Sequence, residues 1–170
     1  QMRQRKGVTL VEARKLLSRS RNHFGMMMLA LGDADGVVSG LTMSYSETIR
    51  PALQIVGLER GVRFAAGMYV MILKNDVKFF ADTTVNIEPN EEALAEIAIA
   101  CADATRDLGV EPRVAMLSFS NFGGTQHPQA DKVRRATQAV KERRPDIVID
   151  GEMQADVALN PELLQELWPF

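Results

Sequence analysis

Cysteine is almost missing from this 170-residue chain. Cys101 stands alone, so no internal disulfide can form and a secreted, disulfide-stapled scaffold is excluded. Histidine is nearly as scarce. His23 and His127 lie far apart, neither stands in ligand spacing with Cys101, and without a Cys-x-x-Cys or His-x-x-x-His pair no zinc site is expected. An excess of one charge is lacking too: 20 Lys and Arg face 22 Asp and Glu, and the net charge of -2 offers no field to gather nucleic acid or an acidic membrane surface. No apolar run approaches the roughly 20 residues of a membrane span. The first six residues, Gln1 to Lys6, are polar and basic, without the apolar centre of a signal peptide. A cytoplasmic setting is therefore expected, with no nucleic acid and no membrane among the partners.

Several fingerprints are also absent. There is no Gly-x-Gly-x-x-Gly for a dinucleotide fold, no phosphate loop closed by Gly-Lys-Ser/Thr, and no Gly-x-Ser-x-Gly elbow for a hydrolase nucleophile. What the chain does have is 46% hydrophobic residues and enough length to bury a core unaided.

The pattern reads as an α/β chain. Thr9-Leu10-Val11-Glu12 has capping-box spacing and predicts a helix over about 10–22. Phe24 to Leu31 is a short apolar run before Gly32-Asp33-Ala34-Asp35-Gly36 and reads as a buried strand, with Met26, Met27 and Met28 as core filler. A helix is expected over about 46–56, Pro51 marking a late start. Residues 63–73 and 77–81 form a hairpin around Lys74-Asn75-Asp76. A long helix over 90–108, closed by Gly109, packs Cys101 inside. Strands over 113–117 and 146–150, a basic-faced helix over 128–143 and a helical piece over 161–167 complete the pattern. Alternating strands and helices predict one mostly parallel sheet with helices on both faces. The apolar end, Leu163, Leu164, Leu167, Trp168 and Phe170, fits two readings: a chain cut from a longer one, or aromatic residues docked back on the core.

Ligands of open α/β sheets gather at the carboxyl ends of strands, and three turns there are polar. Ser39 to Pro51 places Ser44, Thr48 and Arg50 beside a helix start, suited to a phosphate or carboxylate; the plainer alternative is that Ser44 or Ser46 only caps the helix and Arg50 pairs with an acid. In Ser118-Phe119-Ser120-Asn121-Phe122-Gly123-Gly124-Thr125, Ser118, Ser120, Asn121, Gly123 and Gly124 either admit a ligand close to the backbone or form an ordinary connection. Asp150, Glu152 and Asp156 suit a metal or a helix start equally well.

Taken together, Ser39-Gly40 followed by Ser44-x3-Thr48-x-Arg50-Pro51-Ala52-Leu53-Gln54, then Phe80-Ala81-Asp82-x2-Val85-Asn86, Val114 to Ser120 and Asp150 to Asp156 resemble the phosphate acetyltransferase family, four ordered motifs over about residues 32–158. Gly32 to Gly36 and Ser120-Asn121-Phe122-Gly123 look closest to the C-terminal domain of hybrid, NADP-dependent malic enzymes. The resemblance implies a lobe like those of isocitrate and isopropylmalate dehydrogenases. Residues 1–23 would be a linker and helix of the first lobe, and 24–170 a second lobe cut short. It further implies self-association, acetyl-CoA or CoA as effector, and a malic domain in the same polypeptide holding NADP and a divalent metal. Ser44, Thr48 and Arg50 match the family turn that takes the phosphate end of its substrates. Met43 stands where acetyltransferases usually have His, and Tyr45 where they usually have Thr. The family's Ser-Arg-Gly segment and its acid would lie beyond Phe170. No catalytic residue and no metal ligand are therefore expected within this chain. The function implied is a regulatory, oligomer-forming module; a truncated acetyltransferase domain and a purely structural dimerisation module are the alternatives.

Overall fold

In the computed structural model, residues 3–169 are described, and they divide into two compact units on either side of the Val62–Arg63 boundary. Gln1, Met2 and Phe170 lie outside the described residues, so the expected docking of Phe170 does too.

The first unit is helical. A 3-10 turn at Gln4–Lys6 precedes α1 (Leu10–Arg19), whose Thr9 and Glu12 form the expected capping box. The helix ends three residues earlier than the expected 22, because Ser20 takes extended backbone and its hydroxyl caps a second helix, α2 (Arg21–Leu31). The strand expected over 24–31 is therefore a helix. A short apolar run does not distinguish a buried strand from a buried helix, and here the Ser20 cap and Gly32, left-handed at φ 80°, bound a helix. Of the three methionines only Met26 is buried. The domain boundary expected after residue 23 falls within α2.

The third helix, α3 (Tyr45–Ile55), starts at Ser44 in a second capping box with Glu47. Pro51 lies in its interior and not at a late start, and is fully buried.

The second unit carries both sheets. Strands β1 (Met68–Ile72), shorter than the expected 63–73, and β2 (Val77–Ala81) form the expected antiparallel hairpin, pairing Met68 with Ala81 and Ile72 with Val77. Helix α4 (Glu91–Asp107) is capped by Asn90 and followed by Gly109 at φ 79°. Then β3 (Arg113–Leu117), α5 (Pro128–Arg143) and β4 (Val148–Met153) make a β-α-β unit with parallel strands. Two short helices close the chain, α6 (Ala155–Leu159), unforeseen, and α7 (Pro161–Leu167), as expected. Trp168 packs on Phe122 with ring centroids 5.7 Å apart.

The single mostly parallel sheet is thus replaced by two separate two-stranded sheets, one antiparallel and one parallel. The core lies in the second unit. Ala95, Ala98 and Ala102 of α4 and Ala136 and Val140 of α5 meet Met116, Ile147 and Ile149 around the parallel pair. Alanine at these positions lets helix backbones approach closely while still removing apolar surface from water. Cys101 is half-buried on α4, and burial pushes its thiol up to about 11, which leaves it protonated and unreactive at neutral pH.

Candidate functional site

The two polar turns that carry the candidate residues fall in different units. Ser44, Thr48 and Arg50 belong to the first; Ser118, Ser120, Asn121, Gly123 and Gly124 belong to the second.

In the first unit the turn before α3 is built on its cap. The Ser44 hydroxyl donates to Glu47 Oε2 at 2.7 Å and accepts from the Glu47 N–H, while the Ser44 N–H returns a bond to Glu47 Oε2 at 2.9 Å. Those bonds from Ser44, side chain first and backbone second, hold the Glu47 carboxyl below its ordinary value. Ser44 thus caps α3, with its hydroxyl bonded to Glu47. Thr48 donates to the Ser44 carbonyl at 3.4 Å. Arg50, the sixth residue of α3, is exposed and makes no ion pair among the described residues, so its guanidinium remains available to an anion.

Behind the turn sits a residue that the sequence did not single out. Asn22 on α2 is 3% exposed, and its amide accepts from Ser39 Oγ at 2.6 Å and donates to the Glu47 carbonyl at 3.0 Å. Its Nδ2 also lies 3.1 Å from Met43 Sδ. Met43, the departure from the family pattern, is thus a hydrogen-bond acceptor turned toward a buried amide; it brings no proton-carrying group to the turn. An asparagine inside a helix carries no periodic signal, and only its Ser39 and Met43 partners reveal the role.

The second unit's turn is closed by β4. Met116 faces Gly151 and Leu117 faces Met153, so Glu152 is an extra residue in a bulge. Strand alternation alone would send Glu152 outward; the bulge sends it in, and it is 0% exposed. There Oε1 accepts from the Gly123 N–H at 2.7 Å and Arg134 Nη2 at 3.3 Å, and Oε2 accepts from Arg134 Nε at 3.0 Å. Burial raises the carboxyl's affinity for a proton, yet the Arg134 and Gly123 bonds outweigh it and leave Glu152 below its ordinary value.

Around this pair the turn is bonded at nearly every residue. Ser118 N–H donates to the Met153 carbonyl and Phe122 N–H to the Glu152 carbonyl. Asn121 and Gln154 exchange two bonds of 2.7 Å, and Gln154 Nε2 reaches the Phe119 carbonyl. Phe122 at φ 43° and Gly123 at φ 82° make a left-handed two-residue turn, closed by Gly124 N–H on the Asn121 carbonyl at 2.8 Å. The small residues at 123 and 124 thus serve the turn itself: Gly123 for its positive φ, Gly124 because a Cβ there would lie 3.1 Å from the Asn121 oxygen. The Ser120 hydroxyl is buried without a hydrogen-bond partner among the described residues.

The strand expected over 146–150 runs from 148 to 153, so of the three acids Asp150 and Glu152 lie within β4 and only Asp156 follows it, and they separate. Asp150 pairs with Lys141 at 3.0 Å, Glu152 goes inward to Arg134, and Asp156 accepts from the Val157 N–H. Among the described residues no three or more His, Cys, Asp or Glu side chains stand together as metal ligands. His23 bonds Ser20 Oγ and is shifted below its ordinary value by burial, and His127 caps α5. No helix among the described residues is long and apolar enough to cross a membrane.

The sequence profile of phosphate acetyl/butaryl transferases matches residues 1–170. A phosphate acetyltransferase of Bacillus subtilis is 42% identical over 166 residues, which are 97% of this chain and 51% of that protein. An NADP-dependent malic enzyme of Escherichia coli is 38% identical over 169 residues, 99% of this chain and 22% of that protein. Among solved structures, a phosphotransacetylase from Streptococcus pyogenes superimposes with a TM-score of 0.86 at 40% identity, over 98% of this chain and 51% of that one. The chain thus spans between about a fifth and a half of the length of these relatives.

Proposed function

Because this chain belongs to the phosphate acetyl/butaryl transferase family, we propose that it is a phosphotransacetylase-like domain that binds acetyl-CoA or CoA as a regulatory ligand within an NADP-dependent malic enzyme. One observation carries this reading. The turn at Ser44, Thr48 and Arg50 offers a cation and hydroxyls but no general base. Met43 contributes a thioether bonded by Asn22, and the one nearby carboxylate, Glu47, is engaged by Ser44 and held below its ordinary value. Attack by a CoA thiol on an acyl phosphate needs a proton acceptor. A turn that holds an anion without moving a proton suits binding.

With this reading go a lobe of the isocitrate/isopropylmalate dehydrogenase kind, a cytoplasmic location, self-association, and a separate malic domain holding NADP and a divalent metal. Self-association is supported by the β1–β2 hairpin, where Tyr69, Val70, Met71 and Ile72 are all exposed. The second reading, an acetyltransferase domain moving acetyl between CoA and phosphate, is supported by the 42% identity to a phosphate acetyltransferase.

The test is calorimetric titration of acetyl-CoA and of inorganic phosphate into the chain and its Arg50→Ala variant, with an assay for acetyl phosphate alongside. Binding that falls about tenfold or more in the variant, the scale of one charge-assisted hydrogen bond, with no acetyl phosphate formed, is the expected result. Acetyl phosphate formed from acetyl-CoA and phosphate establishes the second reading instead. No binding by either ligand leaves a purely structural, dimer-forming module.

A further inference from the structure

Pro51 inside α3 has no N–H to give the carbonyl four residues earlier, that of Glu47. A helix with such a gap bends there, or the freed carbonyl finds another donor. Here the donor is the Asn22 side chain, at 3.0 Å from the Glu47 oxygen. The same Nδ2 lies 3.1 Å from Met43 Sδ and 3.5 Å from Thr48 Oγ1, while Oδ1 accepts from Ser39. One buried amide on α2 therefore gathers both ends of the polar turn and the proline gap in α3.

We propose that Asn22 is the positioning residue of the Ser44–Arg50 turn: it supplies from α2 the hydrogen bond that Pro51 withholds from α3, and so fixes how Thr48 and Arg50 are presented. The proposal rests on the reading of that turn as an anion-binding one. Arg50 immediately precedes the proline, where the helical backbone is sterically disfavoured, so the direction of its side chain depends on how the backbone is held at this point. Thr48 follows Glu47 directly, and the geometry of the Glu47 carbonyl carries over to it. Without the Asn22 amide the Glu47 carbonyl lacks its bond, and α3 relieves this by opening at Thr48 to Pro51.

The pairing has a distinctive test, because Pro51→Ala gives α3 back the N–H that Asn22 replaces. Asn22→Ala, Pro51→Ala and the double variant are compared with the unaltered chain, using inorganic phosphate as the probe and thermal unfolding as a separate readout. Asn22→Ala alone is expected to weaken phosphate binding about tenfold, whereas in the Pro51→Ala background the same change costs about threefold or less. Unchanged binding in Asn22→Ala overturns the proposal, and so does the full tenfold loss persisting in the double variant. If Asn22→Ala alone does not fold, a folded double variant that binds as Pro51→Ala does supports the proposal, and an unfolded one overturns it. An unaltered chain that binds no phosphate sinks the anion reading separately. The Asn22–Pro51 pairing then stands or falls on whether Pro51→Ala removes the loss of Tm that Asn22→Ala causes.

Discussion

The two candidate turns are built in opposite ways. The turn at Ser118 to Gly124 is closed from behind by a fully buried carboxylate, and most of its donors and acceptors go to β4 and to one another, the buried Ser120 hydroxyl excepted. The turn at Ser44 to Arg50 is held by its own Ser44–Glu47 cap and by Asn22 of α2, beneath an exposed surface that leaves Arg50 without an acid. Both are rich in hydroxyls, amides and small residues, so both look alike as strings. The difference is where the hydrogen bonds go. A turn whose bonds mostly close on itself and its neighbouring strand serves the fold, and one that leaves an exposed cation unpaired has capacity for an anion.

If that contrast is right, the largest effects on folding come from the second turn. A Cβ at Gly151 would lie 2.5 Å from the Met116 carbonyl oxygen and 2.9 Å from Met116 Cβ, at φ 138°. Both the clash and the backbone conformation oppose a side chain, so Gly151→Ala is expected to cost about 4 kcal/mol of stability by denaturant unfolding. A cost below about 1 kcal/mol would mean that the bulge yields easily and does not hold Glu152 in place.

Glu152→Ala comes next. It leaves the Gly123 N–H without its acceptor and the Arg134 guanidinium with Asp131 alone, at 3.2 Å, and breaking a buried pair from one side costs about 3–5 kcal/mol. Arg134 is 44% exposed and can regain water, which places the expected loss near the lower end, about 3 kcal/mol. Phosphate binding in the folded variant is expected to stay unchanged. A Glu152→Ala variant that folds normally and loses phosphate would reverse the assignment of scaffold and site.

The same contrast explains what the sequence made legible. Helix α5 and helix α7 were readable to their ends because Pro128 and Pro161 sit at helix starts, and the β1–β2 hairpin because its apolar runs flank Lys74-Asn75-Asp76. Thr9 and Glu12 announced a capping box that forms as read. Helix α2 departs from the expected strand because Phe24 to Leu31 is apolar on every side, leaving no period to choose between helix and strand, while the cap at Ser20 decides for helix. The single-sheet expectation failed for a related reason: without a strand at 24–31, the first unit contributes none. The candidate turns were visible as clusters of polar residues, but their wiring was not. Glu152 meets Arg134 across 18 residues and Asn22 meets Glu47 across 25, and neither spacing follows any helix or strand period.

The smallest effect belongs to the cap at Ser44, and it sharpens the comparison through pH. Ser44→Ala removes the side-chain half of the box and is expected to cost about 1 kcal/mol, the usual scale for losing an N-cap. Glu47 is held below its ordinary value, so its bonded form stabilises the native state above the unfolded-state pKa of about 4.3. That contribution is lost as pH falls through the lower folded value. In Ser44→Ala the principal cause of the shift is gone, so the Glu47 carboxyl should titrate closer to the ordinary range when followed by NMR. The acid-side loss of stability should move upward in pH with it. Glu152 should show no such movement in that variant, since Arg134 and Gly123 still hold it. Parallel shifts of both carboxyls would mean that the two turns titrate together, and would remove the ground for treating one as scaffold and the other as site.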